Sequence, residues 1–224
     1  MSDKHEEMND TLVKVQGFWD KFQKPILIVL TILVVGVGGW YGYNEYFAKP
    51  KEEKAADALF KAQQYFAMDS SNLVLNGDGQ SKGVLYVLSN YSGTKAANLC
   101  KYYAGVSYLK LGDFNKAVNY LKDFSTSARQ IQLLANGCLG DAYAELNKKE
   151  EAVAAYTKAA HSFEKDENNS SEYLFRAALL QETNGKNAEA LELYKELKEK
   201  FPKTEKGFQA DKYIYRLSIE KNGK

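Results

Sequence analysis

The feature that most restricts the fold is self-similarity at a fixed spacing. The stretch YAGVSYLKLGDFNKAVNYLKDF (103–124) recurs as CLGDAYAELNKKEEAVAAYTKA (138–159) after an offset of 35, and again in RAALLQETNGKNAEALELYKELKEKFP (176–202) after a further 38. Gly105, Gly140 and Ala178 share one place in the pattern, and Ala117, Ala152 and Ala190 a second. Leu121, Tyr156 and Tyr194 share a third, and Gly112, Asn147 and Gly185 a fourth. A period of this length with this pattern predicts an array of helix–turn–helix units. The small residues let helix A and helix B of a unit cross closely. The Gly/Asn place ends helix A, where a left-handed residue is needed. Lys116, Lys148, Lys149 and Glu189 face solvent in the same register. The extra residues of the last spacing predict a surface loop at Asp166–Ser171, DENNSS.

A second feature sits upstream. Pro25 to Asn44, PILIVLTILVVGVGGWYGYN, carries no charge over 20 residues. At about 1.5 Å per residue it spans roughly 30 Å, the thickness of a bilayer's hydrocarbon core. Trp19 and Phe22 lie before it and Trp40, Tyr41, Tyr43, Tyr46 and Phe47 at its far end, as interfacial rings do. Bulky aromatics rather than small residues follow the run, which predicts an uncleaved signal anchor rather than a cleaved signal peptide. No lipobox-like cysteine follows. Lysines flank the span on both sides and do not decide its direction. A large C-terminal domain after a lone anchor favours export of that domain. Gly38 and Gly42 form a small-xxx-small pair suited to contact with another membrane helix. Leu12, Val15, Phe18, Trp19 and Phe22 recur at three- and four-residue steps, predicting an amphipathic helix on the membrane surface or against a partner. The three prolines, Pro25, Pro50 and Pro202, fall at segment ends and leave room for long helices.

The expected fold is therefore all-α: a single N-terminal transmembrane helix, then a helix–turn–helix solenoid with a C-terminal capping helix. The divisions are an amphipathic segment (1–24), the anchor (25–47), a linking helix and degenerate first repeat (48–94), three repeats (95–204), and a capping helix and tail (205–224). In the degenerate unit, helix A is expected near Glu53–Ala67 and helix B near Lys82–Tyr91. Asn76–Gly79 lies in the loop between them and lacks the spaced carboxylates of a calcium loop.

The pattern Leu/Ala-Gly-x-x-Tyr, then Gly, Ala, Tyr and Pro, resembles the tetratricopeptide repeat family over residues 95–204. That resemblance implies a protein-binding concave surface lined by helix A. Counted from the glycine place, the lining residues are Leu99, Tyr102, Val106 and Leu109, then Leu134, Gly137, Asp141 and Ala144, then Glu172, Phe175, Leu179 and Glu182. Some members grip a C-terminal carboxylate with Lys, Asn and Arg at these places. Here only Arg176 lies nearby, so that clamp is not carried over. The expected groove is apolar and aromatic, with an acidic side at Asp141, Glu172 and Glu182. Part of this stripe is alternatively helix-to-helix core. The whole layout, anchor plus short divergent array, resembles the YfgM-type family of ancillary subunits of the bacterial SecYEG translocon. This implies a single-pass inner-membrane protein with a cytoplasmic N-terminus and a periplasmic repeat domain. Its implied partners are translocon subunits, a membrane-anchored periplasmic chaperone or unfolded chains.

Chemistry is sparsely supplied. Histidine occurs only at His5 and His161, on either side of the predicted span. They form no Ser/His/Asp, Cys/His or metal constellation. No phosphate-cradling glycine loop occurs, and KKEE (148–151) reads as a solvated helix face. Cys100 and Cys138 lack metal or redox spacing, and bridging is open only in an oxidising compartment. The net charge is +1, from 30 basic and 29 acidic side chains, without the basic stripe of a nucleic-acid binder. No catalysis, cofactor, metal or small-molecule substrate is expected. The alternative to an export-associated role is a scaffold that docks an envelope or cell-division complex.

Overall fold

The computed structural model describes the backbone of residues 2–222, with side chains at 13 and 16–219. The described residues are helical apart from turns and one isolated bridge, Gly77 to Lys82. They form two compact units, Met1–Lys51 and Glu52–Lys224.

The first unit is built on α1, Ser2–Tyr43. The expected amphipathic segment and anchor are one unbroken helix, so Pro25 lies inside a helix and not at its edge. Proline there removes one i→i−4 bond, which a long apolar helix tolerates. Leu12 and Val15 of the predicted stripe lie outside the residues whose side chains are described. The rings of Phe18 and Phe22 meet at 4.7 Å. The stretch Gln16–Ala67 is long and apolar enough to cross a membrane, with mean hydropathy 2.0 over its best window and none of that window buried. Gly38 and Gly42 face open space. At Asn44–Ala48 the helix widens into a π-turn, with Lys49 N–H reaching the Asn44 carbonyl. Pro50 follows closely; its ring would press on the Tyr46 carbonyl of a regular helix, and the widened turn relieves that clash.

The second unit opens with α2 (Lys49–Ala67), α3 (Ser71–Asn76) and α4 (Val84–Asn90). Three helix pairs follow. They are α5 (Lys95–Lys110) with α6 (Phe114–Lys122), α7 (Arg129–Glu145) with α8 (Lys149–Ser162), and α9 (Glu167–Thr183) with α10 (Asn187–Lys200). The last helix is α11, Glu205–Asn222. The repeat logic operates as expected. A Cβ at Gly105 would sit 2.5 Å from Leu121, and one at Gly140 would sit 2.4 Å from Tyr156, so the A and B helices touch there. Ala117, Ala152, Ala178 and Ala190 are fully buried. Gly112, Asn147 and Gly185 take φ of 79°, 56° and 76°, the left-handed ends of α5, α7 and α9.

The DENNSS segment differs from its expected loop. Asp166 is the N-cap of α9, accepting from Asn169 N–H at 3.3 Å, and Ser170 and Ser171 are buried. The polar residues that resemble a loop are a helix start: Asp caps, while the Ser170 hydroxyl donates to the Phe163 carbonyl and that of Ser171 to the Asn168 carbonyl.

The degenerate unit keeps a helix A. Glu52 on α2 accepts from the Lys95 and Ala96 N–H groups at 2.8 and 2.9 Å, Gln63 donates to the Tyr103 hydroxyl at 3.2 Å, and Asp69 pairs with Lys110. Both numbers rise together, so α2 runs parallel to α5, as successive A helices do. The carboxylate of Glu52 also satisfies two free donors at the positive end of α5. Glu52→Ala is expected to cost about 1 kcal/mol, read as a lower urea midpoint with an unchanged slope. In the loop after α3, the Asp78 carboxylate accepts from the Gln80 and Ser81 N–H groups and from the Tyr65 hydroxyl. Its oxygens are taken up by the turn itself.

At the far end, α11 buries Ala210 and Leu217 against the core that holds Tyr194 and Phe201, while Phe208 and Tyr215 stay exposed.

Candidate partner-binding groove

The A helices α5, α7 and α9 carry the residues expected to line a groove, and the structure sorts them into three groups. Leu109, Asp141 and Arg176 converge on one open pocket of about 640 Å³, with Ala144 on its wall. Leu99 lines a second pocket of about 560 Å³ with Phe124 and Ile131. Leu179 is 38% exposed and stands clear.

Val106, Phe175 and Gly137 are taken up by the core, which corrects their placement, and Tyr102 and Leu134 lie half-buried against it. Val106 is buried in a cluster with Ala117, Leu121 and Ala135. Phe175 is buried, its ring 5.9 Å from that of Tyr194 and 5.3 Å from that of Tyr213, with the Lys206 ammonium above it. Tyr102 is half-buried among Phe66, Tyr103 and Phe124, and burial pushes its hydroxyl up to about 12. Leu134 packs at the edge of the C-terminal core. Gly137 lies under Tyr173, whose ring would be 2.0 Å from an added Cβ. The reason is geometric. The face of helix A that points inward also meets the next helix A, so large side chains on it fill the seam between units.

The expected acidic side is neutralised within the fold. Arg176 donates to Asp141 from Nη1 and to Glu172 from Nε, each at 2.8 Å. Lys206 adds to Glu172 at 3.4 Å, and Glu182 pairs with Arg216. Two tyrosines of helix B complete the arrangement: the Tyr156 hydroxyl donates to Asp141 at 2.7 Å and that of Tyr194 to Glu182 at 3.1 Å. Tyrosine, carboxylate and the following unit's arginine thus form a clasp twice. Helix-B tyrosines are visible in the repeat pattern; that their hydroxyls reach the groove is not, because it depends on the crossing of two helices.

Partial burial pushes the Glu172 carboxyl up, but the hydrogen bond from Arg176 and the charges of Lys206 and Arg176 outweigh it and hold the group below its ordinary 4.5. A carboxylate depressed by folding contributes stability above its unfolded value and loses it as the pH falls through the folded one. The stability gap between the native chain and Arg176→Met is expected to be largest near neutral pH and to shrink below about pH 4.5. Urea titrations at pH 7 and pH 3.5 measure it, and an unchanged gap would contradict the clasp.

Among the described residues no group of three or more His, Cys, Asp or Glu is placed to hold a metal. The His161 Nε2 lies 2.6 Å from Glu196, away from the groove residues. Cys100 and Cys138 are both free, and burial pushes each thiol up to about 12, which leaves them as small apolar packing groups.

Comparison with known proteins agrees with this architecture. Residues 102–167 and 138–204 match the family model described as tetratricopeptide repeat. Among solved structures, a Podosopora anserina protein assigned as a kinesin light chain, with nearly identical TPR-like repeats, superposes with a TM-score of 0.53 at 15% identity. The match covers 76% of this chain and 88% of that one. At that identity the likeness speaks to the fold: a tetratricopeptide-like helical solenoid. No curated protein matches the chain.

Proposed function

We propose that this chain is a membrane-anchored protein-interaction module acting as an accessory or chaperone-associated subunit of the bacterial Sec translocon. One observation carries the proposal. A tetratricopeptide-like solenoid with an open pocket of mixed polarity is covalently joined to a helix which, alone among the described residues, is long and apolar enough to cross a bilayer. Tetratricopeptide solenoids are protein-binding scaffolds, and an anchor of this kind confines such a scaffold to one membrane, where exported chains and their chaperones gather. The N-terminus is then cytoplasmic and the solenoid periplasmic. The partners are translocon subunits, a membrane-anchored chaperone or emerging unfolded segments. Gly38 and Gly42 offer a close-approach face to a partner's membrane helix.

The test is photocrosslinking in living cells from a reactive residue in place of Leu179, which is open to solvent and outside the core. Capture of translocon or chaperone subunits is the expected result. Capture of division or envelope-assembly proteins, with a septal distribution of the chain, would transfer the assignment to the scaffold role. A C-terminal reporter active only in the cytoplasm would overturn the topology.

A further inference from the structure

Side-chain polar contacts tie together each neighbouring pair of A-type helices but one. From α2 and the turn after it to α5 they are Glu52 and Gln63 on the helix and Asp69 in the turn, with their partners on α5. From α7 to α9 they are Gln130 with Asp166 and Asp141 with Arg176. From α9 to α11 they are Glu172 with Lys206 and Glu182 with Arg216. Among the described residues no hydrogen bond or salt bridge joins α5 to α7. Apolar contacts close that joint, with Val106, Ala135 and Ala142 in one cluster. The two pockets described above lie at its two ends, one beside Leu99 and Ile131, the other beside Leu109 and Ala144. The joint is where the solenoid can yield without leaving a buried polar group unpaired.

The charges around the pocket beside Leu109 do not balance. Lys110 is engaged by Asp69, and Arg176 is divided between Asp141 and Glu172. Glu145, exposed at the rim, has no ion-pair partner among the described residues. The lining is mixed, with Leu109, Phe114, Ala144 and Tyr156 beside the charged Lys110, Asp141 and Arg176. The pocket is open and about 640 Å³ in volume.

We propose that this pocket receives a segment of a partner protein in which a lysine or arginine adjoins a large apolar residue. The apolar side chain lies against Leu109 and Phe114, and the cation meets Glu145. The inference rests on the interaction role proposed above and names the chemistry of what is held.

The test uses the full-length protein in detergent micelles and two fluorescent synthetic peptides, one alternating leucine with lysine and one alternating leucine with glutamate. Anisotropy is read against protein-free micelles. The native chain is expected to favour the lysine peptide by about tenfold at low salt, with the preference shrinking as salt is added. Glu145→Lys, at an exposed site where the fold is indifferent, is expected to remove that preference. Phe114→Ala is expected to weaken both peptides about equally. Equal binding of the two peptides, or a preference that survives Glu145→Lys, would overturn the pocket assignment. The two proposals fail separately. Lost peptide preference with Leu179 capture of translocon subunits intact sinks only the pocket. Intact preference without that capture sinks only the translocon role.

Discussion

Tyr194→Ala is expected to cost the solenoid about 3–5 kcal/mol, the largest loss from any single truncation in the C-terminal repeats. Tyr194 is fully buried and is the largest of the side chains that are. Its ring stacks on Tyr213 with centroids 4.7 Å apart and meets Phe175 at 5.9 Å, so it joins α10 to both α9 and α11. Its hydroxyl donates to Glu182 at 3.1 Å. Truncation removes the ring contacts, leaves a cavity and strips Glu182 of one donor, and none of these losses offsets another. The melting temperature is expected to fall by roughly 10 °C. Because repeats contact mainly their neighbours, the loss is expected to concentrate in α9–α11 and spare α5 and α6. Hydrogen exchange resolves the two regions. Uniform loss of protection along the chain would show that the array melts as one unit. Tyr194→Phe separates the contributions, since it retains the ring and forfeits only the hydroxyl bond, worth about 1 kcal/mol.

The second large effect is expected at a glycine that the repeat pattern does not mark. A Cβ on Gly207 would lie 1.9 Å from the Phe201 carbonyl oxygen and 2.8 Å from its carbon, both backbone atoms that cannot swing aside. Gly207 N–H also donates to the Thr204 hydroxyl at 3.1 Å, which starts α11 directly beneath the turn from α10. Gly207→Ala therefore has to push the first turn of α11 off Phe201. Alanine's better helix propensity returns at most about 1 kcal/mol. The net loss is expected to be about 2–4 kcal/mol. Its signature is undocking of α11: trypsin is expected to cut at Lys206 and Lys212 well before it reaches α5–α8. A variant as resistant as the native chain would mean that the turn can widen freely.

The sequence by itself determined the parts that depend on local spacing. The paired helices, their left-handed ends at Gly112, Asn147 and Gly185, and the close crossings at Gly105 and Gly140 follow from residues a fixed distance apart on one helix or its neighbour. The candidate membrane span follows from length and the absence of charge. Pro25 misleads because a proline's cost is local, while a long apolar helix has many other bonds to hold it. DENNSS misleads because loop and helix-cap residues are the same types, and only the seating of Ser170 and Ser171 in the core distinguishes them.

Tertiary structure alone decided the groove. One face of helix A is shared between the open pockets and the seam to the next unit. Which residues fall to which depends on the angle and spacing of helices far apart in the chain. Thus Val106 and Phe175 are spent on packing, while Leu109, Asp141 and Arg176 gather at a pocket. The acidic edge at Asp141, Glu172 and Glu182 disappears into ion pairs with Arg176, Lys206 and Arg216, three of them between residues 34 or 35 apart in the chain and one, Glu172 with Arg176, between residues four apart. Charge in a sequence counts side chains one by one. In the folded solenoid a charge matters by what stands across from it, and among the described residues at the rim of the pocket Glu145 is left without an opposite.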